Sequence, residues 1–126
     1  MTVIVLRGLP GSPTIGVARS IFNRPTDYVI DLTKYHETDQ GNLFVTESLP
    51  DEAEDHVQRA LRSQDVSRLA ICASAHKGWI EEVIRSCEID PDEVHWLVVE
   101  GAEKPESAPK KLYQRLAKSF EVDLYV

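Results

Sequence analysis

Residues 2–16 read TVIVLRGLPGSPTIG, and they predict a strand, a turn and the beginning of a helix. The β-branched apolar run at residues 2–6 is typical of a strand that is buried on both faces. The glycines and prolines that follow it indicate a turn. Ile15, Ala18 and Phe22 then recur at helical spacing, so a helix is expected directly after the turn.

Strand-like and helix-like segments continue to alternate along the chain. Short apolar runs predict strands at residues 28–30, 68–73 and 94–99. Apolar stripes at helical spacing predict helices over residues 51–63, 80–87 and 110–120. Residues 33–47 are polar and are predicted to form a loop, whereas residues 122–126 are expected to add a short final strand. The alternation predicts one α/β domain over residues 1–126, in three α/β/α layers, with a sheet of four or five mostly parallel strands joined by right-handed crossovers.

The charge of the chain restricts its partners. The formal net charge is −7, and residues 37–55 carry seven acidic side chains but no lysine or arginine. This balance disfavours nonspecific nucleic-acid binding, which depends on neutralising phosphates, and it favours a basic protein partner. The sequence has no apolar run near the roughly 20 residues that a membrane helix needs, and its amino terminus lacks the features of a signal peptide. We therefore expect a cytoplasmic protein without a membrane association, in which Cys72 and Cys87 are free, buried thiols.

The turn at residues 8–12, Gly-Leu-Pro-Gly-Ser, resembles the Walker A loop of P-loop kinases, whose usual form is GLPGSGKST after such a strand. The resemblance implies a P-loop kinase-like fold. The match to the Walker A motif ends after Ser12. Pro13, Thr14 and Ile15 stand, in that order, where the family has Gly, Lys, and Ser or Thr. In that family the lysine contacts the β- and γ-phosphates and the following hydroxyl holds Mg²⁺. Thr14 carries no charge, Ile15 cannot bind a metal ion, and Pro13 removes a backbone N–H from the phosphate cradle.

Three further segments resemble the polynucleotide-kinase-like branch of the family, which includes many phage proteins, and each departs from it. The third strand of that branch ends in a segment like VIVDNTNT, whereas Cys72 stands here in place of the aspartate. The paired acids after the second strand are reduced to Asp31. The arginine-bearing lid is reduced to residues 101–107, which contain no arginine, although residues 108–121 match the family's last helix. The resemblance thus implies a retained fold and lost kinase chemistry.

Two other groups of residues are candidates for function. Asp31, Ser74 and His76 are predicted to lie where strands end, where they form an alternative polar site, although turn and cap roles are the favoured interpretation of Ser74 and His76. A possible protein interface is formed by acidic residues and one tryptophan: Glu37, Asp39, Asp51, Glu52, Glu54, Asp55 and Trp79. These acids also fit an ordinary solvated surface. The histidines lack metal-binding spacing, so no metal site is predicted.

We therefore predict a catalytically inactive P-loop kinase-like protein, without a cofactor, that binds or regulates another protein. The degenerate phosphate loop consists of Gly8, Gly11, Ser12, Pro13, Thr14 and Ile15. A phage protein that targets a host protein fits this resemblance, and a homodimer is compatible with it. The alternative is a diverged enzyme that still binds a nucleotide or phosphate at the amino terminus of the first helix, with Asp31 and His76 as its acid–base groups. A structural or assembly protein is the third hypothesis.

Overall fold

A four-stranded parallel sheet forms the centre of the protein. The computed structural model describes residues 1–8, 13–35, 37–39, 42–44, 49–74 and 76–99. The sheet strands are β1 (Thr2–Arg7), β2 (Asp27–Asp31), β5 (Arg68–Ala73) and β6 (Val94–Val98), and a separate hairpin pairs β3 (Glu37–Asp39) with β4 (Asn42–Phe44). The α-helices are α1 (Thr14–Ile21), α2 (Asp51–Arg62) and α3 (Lys77–Ser86), and short 3₁₀ helices span Leu32–Tyr35 and Pro91–Glu93. The predicted α/β class is confirmed.

The strand order of the sheet is β2-β5-β1-β6, with every neighbouring pair parallel. If the four strands are numbered by their order along the chain, their order across the sheet is 2-3-1-4. This differs from both common doubly wound orders, which begin 3-2-1-4 and 2-1-3-4. Helix α1 packs on one face of the sheet and helices α2 and α3 pack on the other, so the predicted three layers are present.

The core is divided between the two faces because side chains alternate along each strand. Val3 and Val5 of β1 belong to the cluster under α2 and α3, whereas Leu6 belongs to the cluster under α1. Strand β5 lies between β1 and β2 and is buried from Leu69 to Ala73. The expectation that the first strand is buried on both faces is therefore confirmed.

The prediction of a loop over residues 33–47 is wrong at two places. The segment begins with a 3₁₀ helix that ends at Tyr35, and it then forms the antiparallel β3–β4 hairpin. The two hairpin strands have three residues each and pair with one another, so they do not need the apolar alternation by which a core strand is recognised. The predicted lid at 101–107, the helix at 110–120 and the strand at 122–126 lie outside the described residues.

An ion pair joins the first residues of the neighbouring strands β2 and β5. The Arg68 Nε donates to Asp27 Oδ1 at 2.8 Å, and a second guanidinium nitrogen contacts Oδ2. The Arg68 guanidinium carbon also lies 4.9 Å from the centroid of the Phe22 ring on the α1 side. The hydrogen bond from Arg68 lowers the pKa of Asp27 from 3.8 to about 2.

Acid is expected to remove the stabilisation that this ion pair provides. Because the pKa of Asp27 is lower in the folded chain, the carboxylate stabilises the fold above pH 3.8 and loses this effect as the pH falls towards about 2. The Asp27→Asn variant should therefore be less stable than the parent at pH 7, with a difference that shrinks below pH 4. Urea unfolding of both chains between pH 2 and pH 7 measures this difference. A difference that stays constant through this range would show that the Asp27 charge does not contribute.

Candidate functional site

The carboxyl ends of the parallel strands form the edge at which open α/β sheets bind ligands. The connection from β1 leaves this edge on the α1 face, whereas the connection from neighbouring β5 leaves it on the α3 face. A crevice between two such strands is a topological switch point, which is the usual ligand position. The residues around the ends of β1 and β5 therefore define the candidate site.

Thr14 begins α1 at this crevice, and its side chain is directed into the protein. It is only 4% exposed, and its hydroxyl lies close enough to the Cys72 thiol to lower the pKa of that thiol. Cys72 is fully buried on the α1 face of β5. Burial, together with the charge of Asp31, raises the pKa of Cys72 to about 12, although Thr14 and Arg19 oppose the shift. The thiol is thus protonated at neutral pH, and the Thr14 hydroxyl is used inside the fold.

Asp31 ends β2 in register with Cys72, so both residues lie on the α1 face of the sheet. Its Oδ1 accepts hydrogen bonds from the backbone N–H of Thr33, at 2.9 Å, and from the Thr33 hydroxyl. These bonds fix the first turn of the 3₁₀ helix that follows β2. Asp31 therefore acts as a turn residue. Its carboxylate also lies at the sheet edge that carries the candidate site.

Ser74 and His76 connect β5 to α3. Ser74 is 2% exposed directly after the strand, and His76 is the N-cap residue of α3. His76 has a positive φ of 68°, and its carbonyl accepts a hydrogen bond from the N–H of Ile80 at 2.9 Å. Both residues thus lie at the same sheet edge as Asp31, and His76 has a structural part in the beginning of the helix.

The remaining described positions of the degenerate loop do not present charge to the crevice. The N–H of Gly8 donates to the carbonyl of Ala73 at 3.1 Å, so it links the ends of β1 and β5. Pro13 is exposed, and Ile15 packs against the core cluster under α1. Gly11 and Ser12 lie outside the described residues.

Arg7 is the cation nearest to this loop in sequence, but it belongs to the other face of the sheet. It alternates with Val3 and Val5, which contact the α2 and α3 layer, and only 3% of it is exposed. Burial lowers the pKa of Arg7, and Glu81 of α3 opposes that shift. Its guanidinium is therefore directed towards α3, away from the beginning of α1.

The acidic residues of the predicted interface lie mainly on α2. Asp51, Glu52 and Asp55 are exposed, and Asp55 forms an ion pair with Arg59 one turn later. Glu54 is half-buried and accepts a hydrogen bond from Gln58. Glu37 and Asp39 belong to β3, and Trp79 packs in part against the core under α2 and α3. Much of the Trp79 ring is therefore used inside the fold.

A contact between Tyr28 and His56 was not predicted from the sequence. The Tyr28 hydroxyl lies 2.8 Å from His56 Nε2, and the two rings meet edge to face at a centroid distance of 5.7 Å. Burial lowers the pKa of His56, and the nearby charges of Lys34 and Arg59 lower it further. The contact joins the edge strand β2 to α2, and no sequence motif links two residues so far apart.

The fold and the site define a three-layer parallel α/β protein whose crevice residues are largely engaged within the fold. No protein-family model matches this chain, and no significant similarity to a curated protein or a solved structure is found. Within the described part of the chain, no cluster of three or more histidine, cysteine, aspartate or glutamate side chains is arranged to hold a metal ion. None of the described helices has both the length and the apolar character needed to cross a bilayer.

Proposed function

We propose that this protein is a catalytically inactive P-loop kinase-like protein that acts by binding another protein. The observation that carries the proposal is the state of Thr14, which stands where the resembled kinases have their phosphate-binding lysine. Its side chain is uncharged, buried and adjacent to Cys72. A triphosphate at this crevice would bring several negative charges to a chain of net charge −7, without the cation that normally offsets them.

The position of Arg7 supports the same conclusion. An arginine directly before the loop would offer a substitute cation if its side chain reached the α1 face. The strand alternation places it on the α3 face beside Glu81, so it does not replace the lysine.

Asp31 supports the alternative of a diverged phosphate-binding enzyme, because its carboxylate lies at the sheet edge where ligands bind, as an acid–base group would.

Addition of ATP with Mg²⁺ is expected to leave the melting temperature of the chain unchanged. A ligand that binds only the folded state at about 100 times its Kd stabilises that state by about 2.7 kcal/mol, so millimolar nucleotide would reveal even modest affinity. Thermal unfolding with and without ATP, GTP and Mg²⁺ is the measurement. The control is the triple variant Pro13→Gly, Thr14→Lys and Ile15→Ser, which restores the family residues and is expected to gain a nucleotide-dependent shift. A clear shift for the unmodified chain would favour the diverged enzyme instead.

The exposed acids of α2 are the surface that we propose for the partner. Asp51 and Glu52 lie side by side in the first turn, where they also interact favourably with the helix dipole. The excess of negative charge in this region is suited to a basic protein surface, and such charges affect specificity and association rate.

Reversal of these two charges is expected to weaken partner binding about tenfold. An exposed ion pair contributes up to about 1 kcal/mol, so the loss of two pairs costs up to about 2 kcal/mol, and a factor of ten corresponds to about 1.4 kcal/mol. Affinity capture of basic proteins from native host lysate would compare the parent with the Asp51→Lys, Glu52→Lys double variant. The matched control is Asp65→Lys with Asp92→Lys, which makes the same charge change at exposed positions outside α2. Circular dichroism confirms that each variant is folded, and equal loss of captured protein in both variants would exclude α2 as the surface.

A further inference from the structure

The contact between Tyr28 and His56 joins α2 to β2, which pairs only with β5 within the described residues. Tyr28 alternates with Ile30, which belongs to the core under α2 and α3, so the Tyr28 side chain lies on the α2 face of the sheet. His56 is half-buried and lies one turn from both Ala53 and Ala60, which are buried in that core. The pair therefore lies where one side of α2 meets the sheet.

The hydrogen bond of this pair depends on the protonation of His56. The Tyr28 hydroxyl lies 2.8 Å from His56 Nε2. A neutral imidazole can accept the hydroxyl proton at Nε2, whereas an imidazolium carries a proton on both nitrogens and can only donate. Acid therefore takes away the arrangement in which Tyr28 donates to His56.

The charges near the imidazole act against a further positive charge. Burial, together with the charges of Lys34 and Arg59, lowers the pKa of His56. Lys34 belongs to the 3₁₀ helix that follows β2, and Arg59 lies one turn after His56 on α2. Glu52 and Asp55 of α2 oppose the shift, although Asp55 is already paired with Arg59. Protonation of His56 therefore places a third positive charge beside Lys34 and Arg59.

We infer that Tyr28 and His56 form a pH-sensitive latch, which holds α2 against β2 while His56 is neutral and releases it in mild acid. An ordinary histidine has a pKa of about 6.5. Because the pKa of His56 in the folded chain is lower, the open form takes up a proton below pH 6.5 that the closed form does not. The closed form is fully favoured above that pH, and the opening equilibrium rises by up to about tenfold for each pH unit below it. This window is separate from that of Asp27, which lies below pH 3.8.

The latch acts on α2, the helix that carries the acids proposed for the partner, so acid is expected to alter that surface too. This effect on the partner rests on the proposed function. The latch itself is a contact within the chain, so an experiment on the chain alone tests the latch without testing the partner.

Hydrogen exchange of α2 is expected to lose protection in mild acid. Mass spectrometry of peptides from α2 gives protection factors at pH 7 and pH 5, each corrected for the exchange of an unstructured chain. The parent should lose protection by up to about tenfold for each pH unit, whereas His56→Gln cannot be charged and should keep equal protection at both values. The matched control, His95→Gln, makes the same change at an exposed position of β6 and should respond like the parent. Equal protection of the parent at both pH values, an equal loss in His56→Gln, or a response abolished by His95→Gln would overturn the inference.

The titration of His56 in the unmodified chain is a second readout, which remains available if the His56→Gln variant does not fold. NMR of a chain with ¹³C-labelled histidine and tyrosine rings reports the protonation of His56 and the surroundings of Tyr28. The latch predicts a His56 midpoint below the value of about 6.5 for an ordinary histidine, and a change of the Tyr28 signals with the same midpoint. A midpoint at or above that value, or Tyr28 signals that do not follow it, would contradict the latch.

Discussion

Alkylation of Cys72 in the folded chain is expected to be at least about a thousandfold slower than that of an ordinary exposed thiol, because the thiolate is the reacting species. Burial raises the pKa of Cys72 from 9.0 to about 12, and this shift alone lowers the thiolate fraction at neutral pH by that factor. The thiol is also fully inaccessible to solvent, which slows the reaction further.

The experiment compares iodoacetamide labelling of two single-cysteine variants, Cys87→Ser and Cys72→Ser, each before and after unfolding in urea. Cys87 ends α3 and is only partly buried, so its labelling is the internal reference. Cys72 should become reactive only on unfolding. Rapid labelling of Cys72 in the folded protein would contradict the Thr14–Cys72 contact and would make a cysteine nucleophile at the crevice a serious alternative.

Replacement of Ile71 by alanine is expected to lower the free energy of unfolding by about 2–5 kcal/mol, the usual cost of deleting most of a buried isoleucine. Ile71 is fully buried in β5 and lies in register with Val5 on one side and Ile30 on the other. Both neighbours are themselves buried on the same face, so the surrounding side chains have little room to close the cavity. This loss is a large fraction of the 5–15 kcal/mol that stabilises a typical domain.

Ile21→Ala provides the matched control, since it makes the same chemical change at the end of α1, where the side chain is 50% exposed. Its effect is expected to stay within about 0.5 kcal/mol. Urea unfolding monitored by circular dichroism gives both values. Similar losses for the two variants would mean that β5 is not the centre of the sheet.

The burial of Cys72 and the packing of β5 both bear on the proposed function. Among the described crevice residues, Cys72 is a protonated, buried thiol, and Thr14 is buried and uncharged where the resembled kinases have a lysine. Cys72 belongs to β5, which is buried from Leu69 to Ala73 and pairs with a strand on each side. Phosphate transfer requires charge at the phosphates, so the proposed binding role rests on these two side chains.

The spacing of apolar residues in the sequence predicted much of the secondary structure. The strand predicted at residues 68–73 has those bounds in the structure, and the helix predicted at 51–63 ends one residue earlier. These segments are recognisable because each buries a regular set of side chains, and that regularity is visible in the residues themselves. The pairing of β3 with β4 was not predicted because each strand has only three residues, too few to show an alternating pattern.

Only the tertiary structure decided which strands are neighbours and which side chains meet. The order β2-β5-β1-β6 places Arg68 against Asp27, 41 positions earlier in the chain, and brings Cys72 beside Thr14. It also directs Arg7 towards Glu81 and brings Tyr28 beside His56. Hydrophobic periodicity reports whether a residue faces a core, but it does not report which distant segment supplies the other side of that core. Strand order follows from the combined packing of all the layers. The sequence alone therefore did not predict which side chains meet in the crevice.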